Sequence, residues 1–122
     1  MNIRTSTRQV DGVTVVDISG RIVLGEESAS LRDLIRDLLS QGRKQILLNL
    51  SAVDHIDSAG LGSLVGASAS VRKQGGELKL VDLPDKIVDI MQITKLYTVF
   101  EILKDEAAGV KSFGQSTGAA NA

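Results

Sequence analysis

The run Ile46-Leu47-Leu48, within Gln45 to Leu50, is too short for a helix and has no alternation of apolar and polar residues, so it predicts a strand buried on both faces. A strand without a polar side belongs in the centre of a sheet, and such a sheet needs helices to cover it. The flanking sequence supplies them. Leu31, Leu34, Ile35, Leu38 and Leu39 fall on one helical face and Arg32, Asp33, Arg36 and Asp37 on the other, with Gly42 as the stop. Glu26 and Glu27 at the start of that helix suit the positive end of its dipole.

Upstream, Ile3 to Gln9 leads through the turn dipeptide Asp11-Gly12 into the β-branched run Val13 to Ile18, which reads as an opening hairpin. Downstream, a second helix is expected from about Ser58 to Gly75-Gly76, with Leu61, Leu64, Val65 and Val71 packing on the sheet. Glu77 to Asp82 reads as another strand. Pro84 suits the first turn of a third helix whose apolar side is Ile87, Val88, Ile90 and Met91, and Val99 to Leu103 reads as a last strand. The alternation predicts an α/β domain: a mostly parallel mixed β-sheet with an antiparallel first strand, covered by helices. Residues 1–113 are expected to form this single domain, ending in a short helix from Lys104 to Phe113 capped by Asp105. Residues 114–122, small, polar and without periodicity, are expected to be a flexible C-terminal tail.

Composition narrows the chemistry. With no cysteine and one histidine, His55, among 122 residues, neither thiolate chemistry nor a multi-histidine metal site is expected. The net charge of -1 and three aromatic residues (two Phe, one Tyr) provide neither the basic stripe nor the stacking platforms of nucleic-acid binders. No apolar run approaches the roughly 18 residues of a membrane span, and Met1-Asn2-Ile3-Arg4 is not followed by a hydrophobic signal core. A cytoplasmic protein without membrane insertion, acting on a protein partner, is the expectation. An exposed sheet edge leaves the oligomeric state open.

The segment Asp54, His55, Ile56, Asp57, Ser58, Ala59, Gly60, Leu61 and Gly62 is read as a loop between the buried strand and the second helix, running into the helix start, and as the partner-binding surface. A serine at a helix start has backbone N–H groups and a positive dipole end near its oxygen. Phosphate there adds about −1.5 to −2 charges and three strong acceptors, which the fold tolerates while a docking surface turns repulsive. The simpler alternative is that Asp57 or Ser58 only caps the helix, a role worth about 1 kcal/mol. Gly60 and Gly62 each cost a helix roughly 1 kcal/mol relative to alanine, which close approach of another group would offset. Gly62 and Gly66 could equally let the helix press on the sheet.

Leu50-Ser51-Ala52-Val53-Asp54-His55-Ile56-Asp57-Ser58-Ala59-Gly60-Leu61-Gly62 resembles the signature of STAS domains, the family of anti-sigma factor antagonists. Asp11 to Val16, the helix from Glu26, and Gly76-Glu77-Leu78-Lys79-Leu80-Val81 occur in that family's order, over roughly residues 3 to 113. The resemblance implies a non-enzymatic protein-binding switch. Ser58 would be phosphorylated by an anti-sigma factor that is itself a serine kinase and restored by a serine phosphatase. In its unphosphorylated form the protein would sequester that kinase and release a sigma factor. No cofactor is implied, ATP being bound by the partner kinase. The pattern is not complete: Val23 stands where the family commonly has aspartate, and His55 where an aromatic or aliphatic residue is usual.

Three rival readings compete with this one. Gly60-x-Gly62-x-x-x-Gly66 with Asp82 onward loosely resembles a dinucleotide loop, but its spacing departs from GxGxxG and its context is missing. A hydrolase is disfavoured because no Gly-x-Ser-x-Gly elbow occurs and His55 would be the lone candidate base. Within the resembled family, a scaffold or transporter-associated subunit that uses the same surface without reversible phosphorylation is the alternative.

Overall fold

The computed structural model describes residues 3–23 and 26–121. Strands β1 (Arg4–Val10) and β2 (Val13–Ile22) form the opening hairpin, antiparallel from Arg4 opposite Ser19 to Val10 opposite Val13. Asp11 and Gly12 between them both have positive φ, 51° and 81°, the two-residue geometry that matches strand twist. Helix α1 (Glu26–Ser40) follows, then β3 (Gln45–Ile56), α2 (Ser58–Lys73), β4 (Glu77–Val81), α3 (Asp85–Ile93), β5 (Glu101–Leu103) and α4 (Glu106–Asn121). The sheet order is β1-β2-β3-β4-β5, with β2 to β5 parallel. This is the α/β class expected, and β3 is its central strand.

Why Ile46-Leu47-Leu48 lacks a polar position is now plain. Ile46 and Leu48 face a core built with Leu31, Ile35 and Leu38 of α1, Leu64, Ala67 and Val71 of α2, and Ile87 and Met91 of α3. Leu47 faces the other way, into a smaller cluster with Val13, Val15, Val81 and Phe113 of α4. The sheet is therefore covered on both sides, by α1 to α3 on one and by α4 on the other.

The boundaries differ from expectation in several places. The final helix runs to Asn121 rather than stopping at Phe113, so the backbone of 114–121, expected as a tail, continues α4. Asp105 caps it as expected, its Oδ1 accepting from the Ala108 N–H at 2.9 Å. A single turn of 3₁₀ helix, Leu96–Thr98, precedes β5, which begins only at Glu101. The side chains of Glu26 and Glu27 lie outside the described residues.

The last difference matters most for function. β3 does not end near Leu50 but continues to Ile56, so Asp54, His55 and Ile56 are strand residues and no loop separates strand from helix. The reason lies in its register with β2. Asp17 pairs with Asn49 but Ser19 with Ala52, and Gly20 pairs with Val53 but Arg21 with His55, so β3 twice carries one residue more than its partner. Each such bulge resets the alternation. Leu50, Val53 and Ile56 consequently all reach the α1–α3 core, a spacing of three that hides the strand from a period-two reading.

Candidate functional site

The junction between β3 and α2 is a single residue, Asp57. Its backbone is extended (φ -99°, ψ -177°) and its Oδ1 accepts from the Gly60 N–H at 2.8 Å. Its own N–H donates to the carbonyl of Ile22 at the end of β2, 3.3 Å away, and its carbonyl accepts from the Leu61 N–H at 2.9 Å. Asp57 is thus the cap, and the choice left open between Asp57 and Ser58 closes in favour of the aspartate. Ser58 is the first helical residue and is exposed. Among the described residues its hydroxyl makes no hydrogen bond, so it has no structural task that phosphate would disturb.

Gly60 fixes where that hydroxyl stands. A Cβ placed on it would lie 1.9 Å from the Ile22 carbonyl oxygen and 2.8 Å from its carbon, both backbone atoms that cannot swing aside. Only glycine lets the first turn of α2 abut the end of β2. Gly62 and Gly66 behave differently. Both are exposed, with nothing within 4 Å of an added Cβ, so they do not serve to press the helix on the sheet, as one reading of the sequence had it.

The nine residues of the expected binding surface therefore divide. Asp54 and His55, the last exposed strand residues, Ser58 and Gly62 face outward, while Asp57, Ala59 and Leu61 are half-buried. Ile56 and Gly60 are buried and act as footing. Arg21, exposed and opposite His55 across the β2–β3 pairing, joins the outward set at the same end of the sheet. Sequence reasoning did not place it there. The signal was indirect: a glycine at Gly60 implies a close neighbour, and that neighbour is the end of β2.

Other serines near the site have different surroundings. Ser63 and Ser68 are buried at 7% and 3% exposure. Ser51 is exposed but lies within the paired strand β3, its N–H donating to Asn49 Oδ1 at 2.9 Å. Ser58 alone of these four combines exposure with a helix start, where the N–H groups of the first turn and the positive dipole end favour an added anion. A phosphate there would stand beside the Asp57 carboxylate on a surface that also carries Asp54. Among the described residues no three His, Cys, Asp or Glu side chains are grouped so as to hold a metal ion, and no helix is long and apolar enough to cross a membrane.

Comparison with known proteins agrees with this geometry. The chain is 33% identical over 111 residues to the anti-sigma-B factor antagonist of Bacillus subtilis, covering 91% of this chain and 100% of that protein. The crystal structure of an anti-sigma factor antagonist from Mycobacterium paratuberculosis superimposes with a TM-score of 0.77 at 22% identity, covering 91% of this chain and 93% of that one. The Bacillus cell fate determinant SpoIIAA, solved in its phosphorylated form, superimposes with a TM-score of 0.65 at 19% identity, over 86% and 96% of the two chains. The model of the STAS domain matches residues 4–109, a span that runs from the first strand into the final helix and includes the whole β3–α2 junction: the chain belongs to the STAS domain family.

Proposed function

We propose that this protein is an anti-sigma factor antagonist whose binding is set by phosphorylation of Ser58. In this reading the unphosphorylated form sequesters a kinase-type anti-sigma factor in the cytoplasm and so releases a sigma factor. The kinase, using its own ATP, phosphorylates Ser58 and frees itself, and a serine phosphatase restores the binding form. The observation that carries the reading is the exposed Ser58 hydroxyl on the first residue of a helix already capped by Asp57. Similarity to the Bacillus subtilis antagonist over nearly the whole chain supports the partner class.

The chemistry is one of charge placed at short range. Phosphorylation adds about −1.5 to −2 charges where the docking surface already carries Asp54 and Asp57. The fold has room for the change because Ser58 is exposed and the helix is capped by Asp57. A partner with a carboxylate facing Ser58 is repelled within a Debye length of roughly 8 Å. Treating the protein with its kinase and ATP, mapping the phosphate by mass spectrometry and measuring affinity before and after tests the proposal. Phosphate on Ser58 alone, with binding at least tenfold weaker, is expected. Phosphate elsewhere, or unchanged affinity, would leave the scaffold reading in its place.

A further inference from the structure

A groove of about 460 Å³ runs between α1 and α2. Its floor includes the buried Ile35 and Ala67, and the charged residues lining it are Arg32 and Arg36, successive turns of α1. Asp33 and Asp37 are not among its lining residues, and the Arg36–Asp33 contact of 3.6 Å joins two exposed side chains, a pairing of little strength. On the α2 wall stands Gly66, a mid-helix glycine with nothing within 4 Å of an added Cβ. It costs the helix roughly 1 kcal/mol relative to alanine, and among the described residues no neighbour requires it. What it provides is an α2 backbone that an outside element can approach closely.

The molecule carries a surface of matching chemistry. On α3, Asp85, Asp89 and Ile93 recur every fourth residue and all are exposed, Ile93 at 81%. Residues so spaced share a helix face. Lys86, also exposed, is displaced from Asp85 by about 100° around the helix. Two carboxylates one turn apart followed by a protruding apolar side chain complement two guanidiniums one turn apart beside Leu39, another lining residue.

We propose that the α1–α2 groove binds α3 of a second copy of this chain, Asp85 and Asp89 meeting Arg32 and Arg36, and Ile93 covering Leu39. The contact joins two different patches and is therefore heterologous, adding copies head to tail. Neither patch contains Ser58, so the proposal stands or falls independently of the phosphorylation switch.

Sedimentation equilibrium of the full chain at low salt tests it. The expected result is an average mass that rises above the 12.9 kDa monomer with concentration and returns toward it as salt is added. The variants R32E/R36E and D85R/D89R, altered only at exposed positions, should each associate at least tenfold more weakly. Mixing them should restore association, because acidic and basic patches again face each other. Ile93→Asp should weaken the wild-type contact without changing the circular dichroism. A wild type that stays monomeric throughout, or two folded charge-reversed variants that remain monomeric when mixed, would overturn the proposal.

Discussion

The two faces of the sheet are fastened by different physics. On the α1–α3 face, the junction that presents Ser58 is held by backbone contacts and packing: the Asp57 N–H on the Ile22 carbonyl, the Asp57 cap on Gly60, and Gly60 against the end of β2. On the opposite face, α4 packs Phe113 and Val110 on Val13, Val15, Leu47 and Val81 and adds a set of charged contacts. Arg8 donates to Asp17 at 2.7 and 2.9 Å and to Glu106 Oε2 at 2.8 Å, with a second contact to Glu106 Oε1. Deeper in, the Lys79 ammonium, 2% exposed, donates to Ser112 Oγ at 3.0 Å and lies 4.4 Å from the Phe113 ring centre. Among the described residues, the ion pairs of Arg8 and Lys79 lie on the α4 side, while on the α1–α3 side Arg36 and Asp33, both exposed, stand 3.6 Å apart.

The packed junction is most sensitive at Gly60. Gly60→Ala places a methyl group into the Ile22 carbonyl and should destabilise the protein by roughly 3 kcal/mol, in the range of severe overpacking. Gly62→Ala and Gly66→Ala, with open space around them, should instead stabilise it by up to about 1 kcal/mol. Urea unfolding of the three variants measures the contrast, and equal effects at all three positions would contradict the assignment of Gly60 as the close contact.

Next in size is the effect of phosphate itself. Phosphorylation of Ser58 should weaken partner binding at least tenfold, about 1.4 kcal/mol, while the urea midpoint moves little, because Ser58 is exposed and the cap is Asp57. Ser58→Ala should fold and bind constitutively, since the cap is Asp57. Ser58→Asp should mimic phosphate only partly, having less charge and fewer acceptors. Asp57→Ala, by contrast, should cost stability by about 1 kcal/mol as a lost cap. Thermal melts of these variants separate the residue proposed to be modified, Ser58, from the residue that caps the helix, Asp57.

A smaller effect is expected at Lys79. Its ammonium is buried, yet its carboxylate neighbours Glu101 and Glu77 lie at 3.4 and 3.9 Å and are about half-exposed, so desolvation is only partly offset. Lys79→Met, similar in volume and apolar, should be neutral or stabilising by about 1 kcal/mol. A loss of several kcal/mol would mean that the ion pairs under α4 outweigh the burial of the charge.

How far the residues announced this structure follows from which physics wrote each part. The hairpin turn at Asp11-Gly12 and the apolar stripe of α1 were legible because turn chemistry and the 3.6 period are local. So was the double burial of Ile46 to Leu48, which requires nothing more than a run without polar positions. The second half of β3 was not legible. Its two bulges exist only in relation to β2, and a spacing of three between Leu50, Val53 and Ile56 has no local meaning in a strand. The same holds at the site: Ser58 at a helix start could be read, whereas the roles of Ile22 and Arg21 depend on which strand lies alongside. Residues 114–121 continued α4 although their sequence shows no helical period, and no local feature explains it.

The smallest effect, and the one that sharpens the contrast between the faces, is the response to acid. Arg8 holds both Asp17 and Glu106 below the usual carboxylate range, chiefly by hydrogen bonding, against a lesser opposing effect of burial. A carboxylate whose folded pKa is depressed contributes stability that is fully present above its unfolded pKa, near 4, and is lost as pH falls through the folded value. Stability should accordingly decline below about pH 4, and the loss should belong to the α4 face. The three side chains are partly exposed, at 43%, 36% and 30%, so solvent screening limits the whole effect to about 1 kcal/mol. Arg8→Gln removes the cation while keeping a polar side chain. It should lower stability slightly at pH 7 and flatten the acid slope, so that wild type and variant converge as pH falls through the depressed folded values. Hydrogen exchange can locate the effect: amides of α4 should lose protection first as pH falls, after correction for the intrinsic rate, while those of α2 next to Ser58 keep theirs. Earlier loss in α2 would mean that charge fastens the face that carries Ser58 as well, and the division between the two faces would not hold.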